Sequence, residues 1–221
     1  LVPSKRCDQA PVDFLRPDEQ EPLVAAPDRG TVLGRRDHAM LQFLIHTGAR
    51  ESEVVAVDMK HARRAVPRQV VLFGKGSKQR IVPLDDVTVD ALERMLADRR
   101  DALPEDPLFV SRSGERMVRH GVIHVVRRHA AQAAKKMSSL GERSVTPHLL
   151  RHTCAMNLLR RGVDITTVRS WLGHVNVQTT HMYTDADAEM KRKALESCPV
   201  TVPEATRFEA PDAVLAMLEA L

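Results

Sequence analysis

The run RRDHAMLQFLIHT at residues 35–47 constrains the fold more than any other stretch. Met40, Leu41, Phe43, Leu44 and Ile45 spread around a helix instead of lining one stripe, so a helix here is apolar over most of its circumference and belongs at the centre of a core. Other elements must then surround it. The apolar residues available for them are mostly aliphatic, because Phe, Trp and Tyr together make up only 3% of the chain, and that supply suits packed helices better than a β-sandwich. A length of 221 residues allows one substantial core. The expected fold class is mainly α with a small antiparallel β-sheet (α+β).

Punctuation along the chain places the remaining elements. Residues 1–16 are polar and marked by Pro3 and Pro11, and read as an N-terminal arm or linker. Pro17 suits a first helical position, and PDEQEPLVAA predicts a short helix ended by Pro27, Asp28 and Gly30. Thr47-Gly48 breaks the central helix, and ARESEVVAVDM begins another with Glu51 and Glu53 in its first turn. Arg50 therefore stands at a tight bend between two packed helices. Residues 69–73 and 80–84 are short β-branched runs flanking GKGSK, which predicts a hairpin with lysines at its tip. The turn is not a Walker loop, since Gln69 stands where the leading glycine is required and Gly76 replaces Ser or Thr.

Further on, Asp85 or Asp86 can cap a helix over about residues 87–100, and Pro104 and Pro107 bound a short strand at 108–110. A longer helix is predicted over 120–137 and a loop over 138–144. Pro147 opens the next helix, in which Leu150, Cys154 and Leu158 repeat at i, i+4, i+8 and His148 and Arg151 share a side. Asp164 can cap a helix through Trp171 that Gly173 stops, and Asn176 can cap another ending near Tyr183. Helices at 186–196 and 211–221 follow, the last with Val214, Leu215, Leu218 and Leu221 in a stripe. The expected domains are an arm at 1–16, a main domain at 17–198 and a tail with a short helix at 199–221.

Net charge is only +4, but the basic residues are unevenly placed. Between Arg112 and Lys136, Arg112, Arg116, Arg119, Arg127, Arg128, Lys135 and Lys136 face a single acid, Glu115, with His120, His124 and His129 interleaved. That pattern predicts a basic helix face suited to phosphates. Cys7, Cys154 and Cys198 are far apart and odd in number, so neither a disulfide framework nor a zinc knuckle is indicated, and a reducing cytoplasm fits. No apolar run approaches a bilayer span, so no membrane partner is expected.

The stretch from Thr146 to Thr184 concentrates phosphate chemistry. It contains His148, Arg151, His174 and Tyr183, the chain's only tyrosine. Phosphoryl transfer needs an in-line nucleophile, positive donors on the nonbridging oxygens and a proton for the leaving oxygen. Arginine suits the second task because its planar fork donates twice and stays charged.

Several blocks together resemble the tyrosine recombinases, the phage-integrase family. They are TGARESEV around Arg50, GKGSKQRIVPL with Lys75, TPHLLRH with His148 and Arg151, WLGH with His174, and Tyr183 nine residues on. The resemblance implies the family's catalytic-domain fold and a DNA recombinase or integrase that uses no metal, cofactor or ATP. It implies that Arg50 and Arg151 clamp the scissile phosphate with His174 as a further donor. Lys75 would protonate the leaving 5′ oxygen, His148 would exchange the nucleophile's proton, and Tyr183 would form a 3′-phosphotyrosyl link. Glu53 would orient the neighbouring basic groups.

Alternatives stay open at several positions. Lys78 could serve in place of Lys75, Arg50 could simply pair with Glu53 or Asp37, and Trp171 and Cys154 read as packing. His152 and His181 flank these positions, yet zinc would compete with the arginines for phosphate charge, so no metal is expected. Duplex DNA is the expected partner, met by Lys78, Arg80, Arg119, Arg127 and Arg128. Self-association as a dimer or tetramer on DNA could run through the C-terminal helix, which could equally pack on its own domain. Family members usually carry a helical core-binding domain before the catalytic one, so this chain is expected to be a catalytic fragment. Two other functions share the pattern: type IB topoisomerase-like DNA relaxation, and a catalytically silent DNA-binding regulator.

Overall fold

Seven α-helices and three strands occur among the described residues, 13–74, 76 and 78–173, of a computed structural model. In chain order they are α1 (Pro17–Ala25), α2 (Val32–Thr47), α3 (Glu51–Ala56), β1 (Ala62–Arg63), β2 (Gln69–Phe73), β3 (Gln79–Pro83), α4 (Asp86–Leu96), α5 (Arg119–Ala133), α6 (Pro147–Arg160) and α7 (Ile165–Leu172). The helices expected at 176–183, 186–196 and 211–221 lie outside the described residues.

α2 is the central helix that its composition predicts. Thr31 caps it, its Oγ1 accepting from the Gly34 N–H at 3.0 Å, so the helix starts ahead of the apolar run. Met40, Leu41, Phe43 and Leu44 are fully buried, and α4 and α6 pack against α2 with α1 alongside. Phe43 meets Phe109 edge-on at 5.5 Å between ring centroids.

The arm ends earlier than residue 16. Leu15 is fully buried in the core, and its N–H donates to Thr153 Oγ1 on α6 at 2.9 Å. Arg143 ties the same segment down, donating to Asp13 Oδ1 at 2.7 Å and to the buried Glu19 of α1.

The hairpin is part of a three-stranded antiparallel sheet in the order β1-β2-β3. Val70 pairs with Val82, Val71 with Ile81 and Leu72 with Arg80. A single 3-10 turn at Met59–His61 delivers the short edge strand β1, which the sequence reading lacked. The strand expected at 108–110 is replaced by two isolated bridges, Asp58 with Pro107 and Val110 with Arg116. Proline lacks the N–H that a ladder needs, and Leu108 and Phe109 are buried side chains of the core. α4 and α5 both end short of their predicted limits, α5 giving way to turns and a 3-10 turn at Ser138–Leu140.

The basic stretch divides by burial. Arg119, His120, His124, Arg127, Arg128, Lys135 and Lys136 are exposed. Arg116 belongs to the scaffold, donating to the Val55 carbonyl at 2.9 Å and to Asp58 at 2.8 Å. His129 is buried, and its Nε2 lies 2.8 Å from the fully buried Asp37 of α2, which also accepts from Arg36 Nε at 2.9 Å. Burial pushes the Asp37 carboxyl up, but His129 and Arg36 outweigh it and hold the group below its ordinary value. This buried polar cluster fastens α5 to α2.

Candidate active site

The site begins where α2 stops. Gly48 has φ 61°, a left-handed conformation that costs other residues, and its N–H returns to the Leu44 carbonyl at 3.0 Å. A Cβ there would lie 2.5 Å from Leu172 Cδ2 and 3.2 Å from Cys154 Sγ. The bend can therefore approach α6 and α7 closely only because residue 48 is glycine. Two residues later Arg50 stands just ahead of α3, with extended backbone and a side chain 39% exposed.

Glu53, 1% exposed, organises the basic groups around it. Its Oε2 accepts from the Arg50 N–H at 2.8 Å, closing the first turn of α3, and its Oε1 accepts from Arg50 Nη1 at 2.9 Å. Arg80 of β3 adds a two-pronged contact, Nη1 to Oε1 at 2.6 Å and Nη2 to Oε2 at 2.7 Å. Burial alone would raise the Glu53 carboxyl. The hydrogen bond and charge of Arg80, with those of Arg50, lower it below its ordinary value.

Arg80 is thus directed inward. Its Nε donates to the Trp171 carbonyl at 2.8 Å, and the side chain is only 9% exposed. Expected among the DNA contacts, it is instead committed to holding α3, β3 and the end of α7 together. Strand alternation carried the signal: Arg80 lies two residues before the buried Val82 and shares its face.

Arg151 of α6 is 3% exposed. Its Nη1 donates to the Gly48 carbonyl at 2.6 Å and its Nη2 to the Leu172 carbonyl. The second carbonyl belongs to the last turn of α7, which Gly173 ends in a left-handed conformation, φ 64°. Arg50 and Arg151 are therefore both fixed to the one bend at 48–50, Arg50 through Glu53 and Arg151 through a backbone carbonyl. Glu53 is the carboxylate that Arg50 shares with Arg80.

His148 and Arg151 do not share an environment, although three positions apart on α6. His148 is exposed while Arg151 turns into the core. His148 pairs with His152, their Nε2 atoms 2.9 Å apart and their rings 4.3 Å between centroids at 80°. The i, i+4 spacing of the two histidines on α6 carries the signal for this pair. Burial, with the neighbouring His148 and Arg151, pushes His152 down to about 4, so its imidazole is neutral at pH 7.

Trp171 packs against the core and edge-on to His46, 5.9 Å between centroids. Burial pushes the Cys154 thiol up to about 12, leaving it a packing group whose sulfur donates to the His46 carbonyl at 3.1 Å. Lys78 is exposed beside the β2–β3 turn, and its carbonyl accepts from Gly74 at 2.8 Å. Lys75, His174, His181 and Tyr183 lie outside the described residues. Among the described residues no three His, Cys, Asp or Glu side chains are grouped to enclose an ion, and no helix is long and apolar enough to cross a membrane.

A helical domain with a small inserted antiparallel sheet is a fold shared with solved structures. XerA recombinase matches 84% of this chain, and 66% of its own, with TM-score 0.69 and 28% identity. The catalytic domain of bacteriophage HP1 integrase shares the fold, with TM-score 0.56 and 22% identity over 88% of this chain and 99% of that one. The chain belongs to the phage integrase family, whose sequence profile matches residues 13–190.

Two curated relatives are similar at the level of sequence. The putative integrase/recombinase y4rC of Sinorhizobium fredii is 38% identical over 220 residues, covering 100% of this chain and 66% of the relative. Tyrosine recombinase XerD of Pseudomonas aeruginosa is 41% identical over 170 residues, 74% of this chain and 54% of the relative. The chain thus spans between half and two thirds of the length of these relatives.

Proposed function

We propose that the chain is the catalytic part of a site-specific tyrosine recombinase that cuts and rejoins duplex DNA without metal or ATP. The anchoring of both Arg50 and Arg151 to the 48–50 bend supports this reading, because it ties two permanently charged guanidinium groups to one short segment. In this reading Arg50, Arg151 and His174 hold the scissile phosphate. The Tyr183 hydroxyl attacks phosphorus as its proton passes to His148, the bond from phosphorus to the 5′ oxygen breaks, and Lys75 gives that oxygen a proton. The 3′-phosphotyrosyl ester keeps the energy of the broken phosphodiester, so a free 5′-hydroxyl can reverse the step.

Exposed Arg119, Arg127, Arg128 and Lys78 would meet backbone phosphates. DNA-bound neighbours support such a partner: XerH recombinase on its difH substrate, and the Tn1549 transposon integrase on transposon-end DNA, are described by those complexes. We further propose that the protein works in the cytoplasm as a dimer or tetramer on DNA, and that residues 17–198 form its catalytic domain.

Recombinase relatives favour strand exchange over topoisomerase-like relaxation or silent binding. The full-length protein incubated with paired target sites, and separately with supercoiled plasmid, separates the three. Recombinant joints are expected. Relaxed topoisomers without joints, or binding without any strand cleavage, would overturn the proposal.

A further inference from the structure

We propose that His148 and His152 form a two-imidazole site for a borderline divalent transition-metal ion, and that an ion bound there shuts the catalytic centre off. The two residues stand one turn apart on the same face of α6, with Nε2 atoms 2.9 Å from each other. Two nitrogens bound to one ion at about 2.05 Å each, at a right angle, lie about 2.9 Å apart. Without a metal this contact is a hydrogen bond with a proton on one Nε2; binding an ion shifts that proton to Nδ1 and leaves two lone pairs at the bite of a cis chelate. The ring centroids, 4.3 Å apart, are closer than those of two rings meeting head-on through these atoms. The rings therefore converge at an angle, as two ligands of one ion do.

The chemistry of the surroundings agrees. Imidazole ligates in its neutral form through an unprotonated nitrogen. His148 is exposed, so the opening between the rings is reachable from solvent. Asp13, the acid near enough to His152 to act on its charge, is already paired with Arg143. Among the described residues no third His, Cys, Asp or Glu is grouped with the pair. Such a nitrogen pair selects Ni²⁺, Cu²⁺ or Zn²⁺ over Mg²⁺.

Inhibition follows from occupancy and rests on the proposed role of His148. The metal takes the Nε2 lone pair that would otherwise accept the nucleophile's proton, and it places a second positive charge beside Arg151. Binding and inhibition are separate readouts, so the two ideas can fail separately.

The test titrates Ni²⁺ into the full chain at pH 7.5 without DNA, by calorimetry, with Mg²⁺ in parallel. One site is expected, with Mg²⁺ silent. Its affinity should fall at least about ten-fold in H152Q and also in H148Q, where the chelate is lost and a single ligand remains. His148 is exposed, so H148Q tests the site even if H152Q folds poorly. His120 and His124 are also four residues apart and exposed on α5, and H120Q/H124Q is the control that should bind Ni²⁺ unchanged. Affinity that is indifferent to H148Q, or that moves with H120Q/H124Q, overturns the site. In the cleavage assay Ni²⁺ should suppress adduct formation by the wild-type protein. Binding at the pair without suppression would overturn the role given to His148 and leave the metal site standing.

Discussion

Glu53 shows how one carboxylate can order a cationic site. It accepts from the Arg50 backbone, the Arg50 side chain and both terminal nitrogens of Arg80 while almost wholly buried. Removing it with E53A leaves Arg80 uncompensated in a buried position, at a cost of about 3–5 kcal/mol. The pH dependence has a definite sign. Because the native carboxyl is held below its ordinary 4.5, its contribution is fully present above that pH and is lost as pH falls through the lowered native value. Urea midpoints of wild type and E53Q should therefore converge as pH drops from 7 toward 3. Parallel curves would mean that Glu53 is not the charged centre of the network. Glu53 was legible in the sequence as a supporting acid three residues after Arg50. Arg80 was not placed correctly, because its neighbours at the hairpin tip suggested DNA, and only the alternation along β3 shows that it points inward.

At the scale of elements, the α2–α3 bend decides whether the site can assemble. Gly48 combines a left-handed backbone with contact to both Leu172 and Cys154. G48A pays for the strained φ, about 1–2 kcal/mol, and for overpacking, about 1–3 kcal/mol. Together these predict a loss of about 2–5 kcal/mol in thermal or urea unfolding, with phosphate-dependent function failing before the fold does. A variant as stable as wild type would show that the bend tolerates a side chain. Most helices here were readable from caps and apolar period: Pro17, Thr146-Pro147, Asp164 and Gly173 mark ends that the structure keeps. What was not readable depends on distant partners. Leu15 belongs to the core because Thr153, far along the chain, receives its N–H. His129 is interior because Asp37 needs a donor, and helical periodicity alone did not distinguish it from the exposed histidines of α5.

At the scale of the whole molecule, α2 fixes the core and its end supplies the bend where α3, β3, α6 and α7 converge. Arg50 and Arg80 are both bonded to Glu53, and Arg151 is bonded to the Gly48 carbonyl of the bend. Such a scaffold prepares positive charge before substrate arrives, which is how an enzyme can lower a phosphoryl-transfer barrier without a metal. The central claim is that this charge serves one nucleophile, Tyr183, the single tyrosine of the chain. A nicked or suicide DNA substrate carrying the target site, resolved on a denaturing gel, tests it most directly. The wild-type protein should form a covalent conjugate that maps to the peptide containing Tyr183, and Y183F should form none. A conjugate of undiminished yield with Y183F would contradict the account.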